Sequence, residues 1–298
     1  MTALTHCRLA THLLISWVAT VLSFVWQASA SAESVAEPVK GQRVFTAGHS
    51  LLMYMPPVLA EVAAAAKAEG HVQAGIQSIG GSQVIRHWDL SGAKNTVKPA
   101  LRRAAVDVLM LSPIYLPDEG IEKLVMLGAQ HNPDIRVLVQ EFWIPYDDPT
   151  VLKAGAGPKI VDRDSRTLDE LRTMHAAYFQ SMDDHASALN AKLGKRTVFI
   201  VPVGQAVMAL RGKIIAHEAP GLTKQSALFT DGLGHAGPVV KVLATYCHFA
   251  VIYRRSPIGL PVPTMLASQL EAEKLNRLLQ ELAWEAVTAH PLSGMKNN

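Results

Sequence analysis

RVFTAGHSL (43–51) is the stretch on which the fold turns. Its first five residues, Arg43 to Ala47, form an apolar run that reads as a strand. Gly48 permits a tight turn, and Pro56-Pro57 opens a helix that runs through VLAEVAAAAKAEG to a stop at Gly70. A strand that passes through a glycine turn into a helix is the opening of a βα unit. The question for the rest of the chain is whether that unit repeats.

It does repeat. VQAGIQSI (72–79), VDVLMLS (106–112), IRVLVQEFW (135–143) and TVFIVPV (197–203) read as four more strands. Helical stretches separate them: VKPALRRAA (97–105), IEKLVMLGAQHN (121–132), and a long helix opened by the capping box Thr167-Leu-Asp-Glu170 and reaching about Leu193. A loop rich in Pro, Gly and Asp covers 145–164. VGQAVMALRGKIIA (203–216), a helix after Pro238 and a final helix from about Met265 complete the chain. Nearly continuous apolar strands are the mark of strands buried on both faces. The expectation is an α/β three-layer α/β/α sandwich around a five-stranded parallel sheet. In such sheets, sites form where loops leave the carboxyl ends of the strands, here just after residues 47, 79, 112, 143 and 203.

Ser50 stands at the first of these places. A serine hydroxyl becomes a nucleophile where a sharp turn exposes it and a histidine can take its proton. The bland alternative makes Ser50 a helix N-cap, and in either reading the following helix turns its N-terminal amides toward the serine. A second block, Asp231-Gly-Leu-Gly-His235, sets a carboxylate and an imidazole in one short loop ahead of a helix. A carboxylate there can fix the ring tautomer and stabilise its charged form, whereas an incidental surface Asp and His would do neither.

Taken together, these blocks resemble the SGNH/GDSL hydrolase family, over roughly residues 43–255. The family's flavodoxin-like fold carries a serine after the first strand, a glycine after the second, an asparagine after the third, and an Asp-x-x-His block before the last helix. Here GHSL is similar to the serine block, with His49 where Asp is usual, and Gly80-Gly81-Ser82 to the glycine block. The resemblance implies Ser50 as nucleophile, His235 as general base, Asp231 as its orienting partner, and amides of Ser50 and Gly80 or Gly81 as the oxyanion hole. Two departures stand out. The third strand ends LMLSPIYLP with no asparagine, leaving Ser112, Tyr115 and Gln140 as nearby polar groups, and Gly234 adds one residue to the Asp–His spacing. His49, Trp88, Gln140 and Trp143 are candidate substrate contacts, the two tryptophans on loops expected near the site, with an inward-facing His49 as its other reading and core or lid packing as that of the tryptophans.

The N-terminus has a different character. Arg8 is the one firmly charged side chain before Glu33, LLISWVATVLSFVW (13–26) is apolar, and ASASA (28–32) supplies a small-residue cleavage pattern. This reads as a signal peptide (1–30), a leader (31–41) and one domain (42–298) in an exported protein. Retention as an anchor is the alternative, although about 14 apolar residues fall short of the roughly 20 needed to span a bilayer. With Cys7 in that segment, Cys247 stands alone in the mature chain, so no disulfide framework exists.

The net charge of +3, from 28 basic and 25 acidic residues, gives no reason to invoke nucleic acid. No stable membrane span is expected after cleavage. Gly232-Leu-Gly-His-Ala-Gly237 matches a dinucleotide fingerprint but lies far from the first βα turn that such a fingerprint needs. Twelve histidines occur without a metal-ligand spacing, and His131, His175, His185 and His217 read as surface residues. The expectation is therefore a serine esterase without metal or cofactor, acting on small-molecule or glycan O-acyl esters. The alternative is a weak or inactive ligand-binding relative on the same fold.

Overall fold

The computed structural model describes residues 39–114, 116–152 and 161–295. The expected signal segment (1–30), most of the leader, and Tyr115 lie outside the described residues.

All five expected strands form. They are β2 (Arg43–Gly48), β4 (Val72–Ser78), β5 (Val108–Leu111), β6 (Arg136–Glu141) and β7 (Val198–Pro202), all parallel in the order β4-β2-β5-β6-β7. In sheet order this is 2-1-3-4-5, the flavodoxin-like arrangement. Val44, Leu109, Met110, Leu138 and Ile200 are fully buried. Each such side chain contributes roughly 1.5–3 kcal/mol by leaving water, which is why these runs select strands covered on both faces.

The helices divide by the direction of each crossover, because parallel crossovers are right-handed. α1 (Met55–Ala65) connects β2 to β4 and packs with α7 (Pro238–Tyr253), which in turn packs on α8 (Ala272–Ala289). The connections running the other way carry α2 (Val84–Asp89), α3 (Val97–Arg102), α4 (Glu119–His131) and α5 (Leu168–Leu193) on the opposite face. α6 (Val203–Ile215) follows β7 and packs against α7 and α8. The expected capping box opens α5: Thr167 Oγ1 accepts from the Glu170 amide at 3.2 Å, and Glu170 Oε2 accepts from the Thr167 amide at 2.8 Å.

Three boundaries differ from expectation. α1 ends at Ala65 because Lys67 turns left-handed (φ 55°), and Ala68–Glu69 (β3) then pairs with Val39–Lys40 (β1) in a small parallel ladder. The stretch after Gly81 is the helix α2, so Trp88 sits on a helix and not on a loop. The last helix starts at Ala272, not at Met265: residues 264–266 form a separate 3-10 turn whose Thr264 amide is held by Glu61 of α1 at 2.7 Å, and Glu271 turns left-handed just ahead of α8 (φ 53°).

The register brings the site together. Gly48 of β2 pairs with Ser78 of β4, and Ala47 pairs with Leu111 of β5. The segments after these residues therefore leave the sheet side by side at the switch point between β2 and β5, where the connections diverge to opposite faces.

Candidate active site

The turn after β2 is compact. The Leu52 and Met53 amides both donate to the His49 carbonyl, at 2.9 and 3.1 Å, and α1 begins only at Met55 with Tyr54 as its N-cap. Ser50 is thus exposed on a separate turn and does not cap α1. The approach is close: a Cβ on Gly48 would lie 3.1 Å from Leu52 Cδ2 and 3.5 Å from Ser112 Cβ.

His235 reaches Ser50 across 185 positions of sequence. Its Nε2 lies 2.9 Å from Ser50 Oγ, and its Nδ1 lies 2.6 Å from Asp231 Oδ2. The other carboxylate oxygen, Oδ1, accepts from the Gly234 amide at 2.9 Å and the His235 amide at 3.1 Å. Asp231 is pushed down to about 2, first by the hydrogen bond from the His235 ring and then by these amides. A carboxylate that stays ionised holds the proton on Nδ1 and leaves Nε2 as an acceptor for the Ser50 hydroxyl. This is the hydrogen-bond order that lets a hydroxyl be deprotonated as it attacks.

The loop's extra residue has a definite use. Gly234 takes φ 102°, which L side chains avoid, and its amide closes the ring onto Asp231. A Cβ there would lie 2.8 Å from Arg163 Nη2 and 3.3 Å from Trp143 Nε1. Gly234→Ala should therefore lower the melting temperature by about 2–12 °C, from strain of about 1–3 kcal/mol in a domain of this size. Thermal unfolding followed by circular dichroism checks this.

Gly80 and Gly81 form an exposed turn after β4, with no atom within 4 Å of where either Cβ would stand. The Ile79 amide donates to the Gly48 carbonyl at 3.1 Å, so this turn is tied to the strand end that carries Ser50. Beneath the glycines lies Ser82, fully buried, with His87 Nε2 at 2.9 Å from its hydroxyl.

None of the four candidate substrate contacts is fully exposed. His49 is buried: its Nδ1 accepts from the Leu51 amide at 3.4 Å, and its Nε2 donates to Ser112 Oγ at 3.2 Å. Burial, and secondarily the nearby His87 and His235, push its ring down to about 4, so it is a neutral strut inside the turn. Gln140 is fully buried and donates to the Leu51 carbonyl at 3.0 Å. Trp143 is buried and donates from Nε1 to the Gly234 carbonyl at 2.8 Å. Trp88 is half-buried on α2, with the Lys98 ammonium 4.4 Å from its ring centre. Three of the four are thus turned into the protein, holding the site from within. Ser112 is likewise buried and bonded to His49, and Tyr115 lies outside the described residues.

His175 also departs from expectation. It is buried under the segment after β6, with Nε2 accepting from the Ile144 amide at 3.1 Å. Cys247 is fully buried in α7, and burial pushes its thiol up. Among the described residues, no group of His, Cys, Asp and Glu side chains gathers as a metal site would.

Comparison with known proteins adds the fold. The chain superposes on a DUF4886 family protein from Bacteroides uniformis. The TM-score is 0.51 at 15% identity, covering 86% of this chain and 100% of that one. A protein from Parabacteroides merdae described as a GDSL-like lipase superposes more loosely, with TM-score 0.38 at 11% identity over 72% of this chain and 97% of its own. No family model matches the chain, and no curated protein does. At these identities the likeness is one of fold alone.

One part of the site has no local sequence signal. Asp147, buried in the loop after β6, sits between two arginines from distant segments. Arg211 of α6 binds it with both guanidinium nitrogens, at 2.9 and 2.6 Å, and Arg163 Nε lies 3.6 Å away. Asp147-Asp148-Pro149 reads in sequence simply as the start of a turn. Only the left-handed backbone at Tyr146 and Asp147 (φ 58° and 52°) turns the carboxylate inward.

Proposed function

We propose that this chain is an exported serine ester hydrolase in which Ser50 is the nucleophile, His235 the general base and acid, and Asp231 the partner that orients His235. The observation that carries the reading is the continuous hydrogen-bonded chain from Ser50 Oγ through the His235 ring to Asp231 Oδ2.

The chemistry follows from that chain. His235 Nε2 takes the Ser50 proton as Oγ bonds to the ester carbonyl carbon. The resulting imidazolium is stabilised by ionised Asp231. Negative charge then develops on the carbonyl oxygen, for which the Ser50 amide and those of Gly80 or Gly81 are the candidate donors. Collapse expels the alcohol with the proton from His235 and leaves an acyl-serine. Water, deprotonated by the same nitrogen, hydrolyses the acyl-serine and restores the site. Preorganised donors at such an oxygen are worth about two to three powers of ten each.

Ser50, His235 and Asp231 stand at an open rim with exposed glycines around them, which suits an acyl group carried on a larger alcohol such as a glycan. A fluorophosphonate probe should label the purified protein at one residue, with labelling abolished in Ser50→Ala, and the protein should release acetate from acetylated sugars. A native protein that neither labels nor releases acetate would leave the site as a binding pocket only. Export is tested separately: sequencing the N-terminus of the mature protein should find it just after residue 30 or 32.

A further inference from the structure

The Asp231–His235 loop has exposed side chains, yet each of its backbone carbonyls meets a donor. Arg163 Nη1 donates to the Asp231 carbonyl at 3.3 Å and its Nη2 to Gly232 at 2.9 Å. The Tyr146 amide donates to Leu233 at 2.8 Å, and Trp143 Nε1 to Gly234 at 2.8 Å. The Thr230 amide donates to His235 at 2.9 Å. Four consecutive carbonyls, 231 to 234, are thus taken by donors of Trp143, Tyr146 and Arg163.

The grip is itself fixed from behind. Trp143 and Arg163 both lie against the Phe229 ring, the indole at 6.0 Å between ring centres and the guanidinium 4.6 Å over the face. Arg163 is pinned by Asp147, which Arg211 holds with a two-pronged contact while its own Nε donates to Gln225 at 2.7 Å. A buried acid paired with two arginines holds one geometry, because displacing any member strands an uncompensated charge.

We propose that Trp143 and Arg163 are positioning residues for the hydroxyl–imidazole–carboxylate chain, setting the loop so that the His235 ring faces Ser50 in the productive tautomer; the inference rests on the catalytic role proposed for that chain. Neither side chain touches the reacting atoms. They act on the carbonyls of the loop, and the loop's amides at 234 and 235 in turn orient the Asp231 carboxylate. A shift of about 1 Å in such a frame can cost about 100-fold in rate. An exposed loop held only by its own bonds would not keep that tolerance.

The test uses Trp143→Phe, which keeps a ring against Phe229 and loses the N–H, and Arg163→Lys, which keeps the charge and loses the fork. Both are compared with the native protein by ring-nitrogen NMR of His235 and by steady-state hydrolysis of an acetyl ester. The expected result is a 10- to 100-fold fall in kcat with KM within about twofold, together with loss of the single Nδ1-protonated signature of His235. Folded variants that keep both kcat and the ring signature overturn the proposal while leaving the esterase reading intact. Altered ring signals in the variants of a protein that hydrolyses no ester would uphold the positioning role and sink the esterase reading. Hydrogen exchange on the native protein gives a measurement free of any folding defect. The Gly234 and His235 amides should exchange at least 100-fold more slowly than in an unstructured peptide, and unprotected exchange there overturns the proposal.

Discussion

Asp231→Asn lowers kcat for an acyl ester by about four powers of ten, comparable with Ser50→Ala, while the protein stays folded. The geometry gives the reason. Asp231 Oδ1 accepts two amide hydrogens, from Gly234 and His235, so an asparagine must place its carbonyl oxygen there. Its NH2 group then occupies the Oδ2 position, 2.6 Å from His235 Nδ1 in the native protein. Facing a donor, Nδ1 must become the acceptor, which moves the ring proton to Nε2. That nitrogen faces Ser50 at 2.9 Å and can no longer take its proton. The native carboxylate is pushed down to about 2, so Asp231 is ionised at the neutral pH of the measurement. The measurement is kcat at neutral pH beside a fluorophosphonate labelling rate. A variant within tenfold of the native rate would refute the role given to Asp231.

The sheet was legible in sequence because its physics is local. Runs such as VLML (108–111) are apolar on both faces, and few structures other than a buried strand accept them. Ser50, Asp231 and His235 were legible as candidates because each stands near a glycine in a short motif, GHS (48–50) and DGLGH (231–235), although the contacts that hold the second motif come from residues far away in the chain. Elements whose stability comes from elsewhere were not legible. α2 has six residues and no cap of its own. Its first amides, Val84 and Ile85, are bound at 2.6 and 2.9 Å by the carboxylate of Asp118, more than thirty positions away. Trp88 therefore looked like a loop residue. Likewise, nothing near Trp143 or Gln140 foretells their inward orientation, because the carbonyls they bind belong to residues 234 and 51. The Asp147–Arg211–Arg163 cluster joins three segments that no sequence window contains. The burial of His175 follows from the same cause, a helix face set by packing under the chain after β6.

Buried histidines make the protein acid-sensitive, and the sign follows from their environment. Burial pushes His49, His87, His175 and His248 each down to about 4. Between the ordinary histidine value and 4, the unfolded chain binds protons that the folded chain refuses, so stability rises with pH in that window. The contribution is complete above about pH 6.5 and is lost as pH falls toward 4. A shift of this size is worth about 3 kcal/mol per ring at about 1.4 kcal/mol per unit. Four rings together, at about 12 kcal/mol, fall within the roughly 5–15 kcal/mol that holds a domain folded. Glu141 acts in the opposite sense: it is fully buried and raised well above the carboxylate range, first by desolvation, so it holds a proton when folded and recovers some stability as pH falls. It offsets part of the loss, not four rings of it. The urea midpoint should therefore be nearly level above pH 7 and drop steeply from 6.5 to 4.5. His248→Gln should reduce the slope by about one proton, since that ring is wholly buried and its Nε2 has no hydrogen-bond partner. A midpoint unchanged between pH 7 and 4.5 would mean that these rings are hydrated or already charged in the folded protein. His49 would then be no neutral strut beneath Ser50, and the turn would rest on its other bonds, those of the Leu52, Met53 and Ile79 amides and of Gln140.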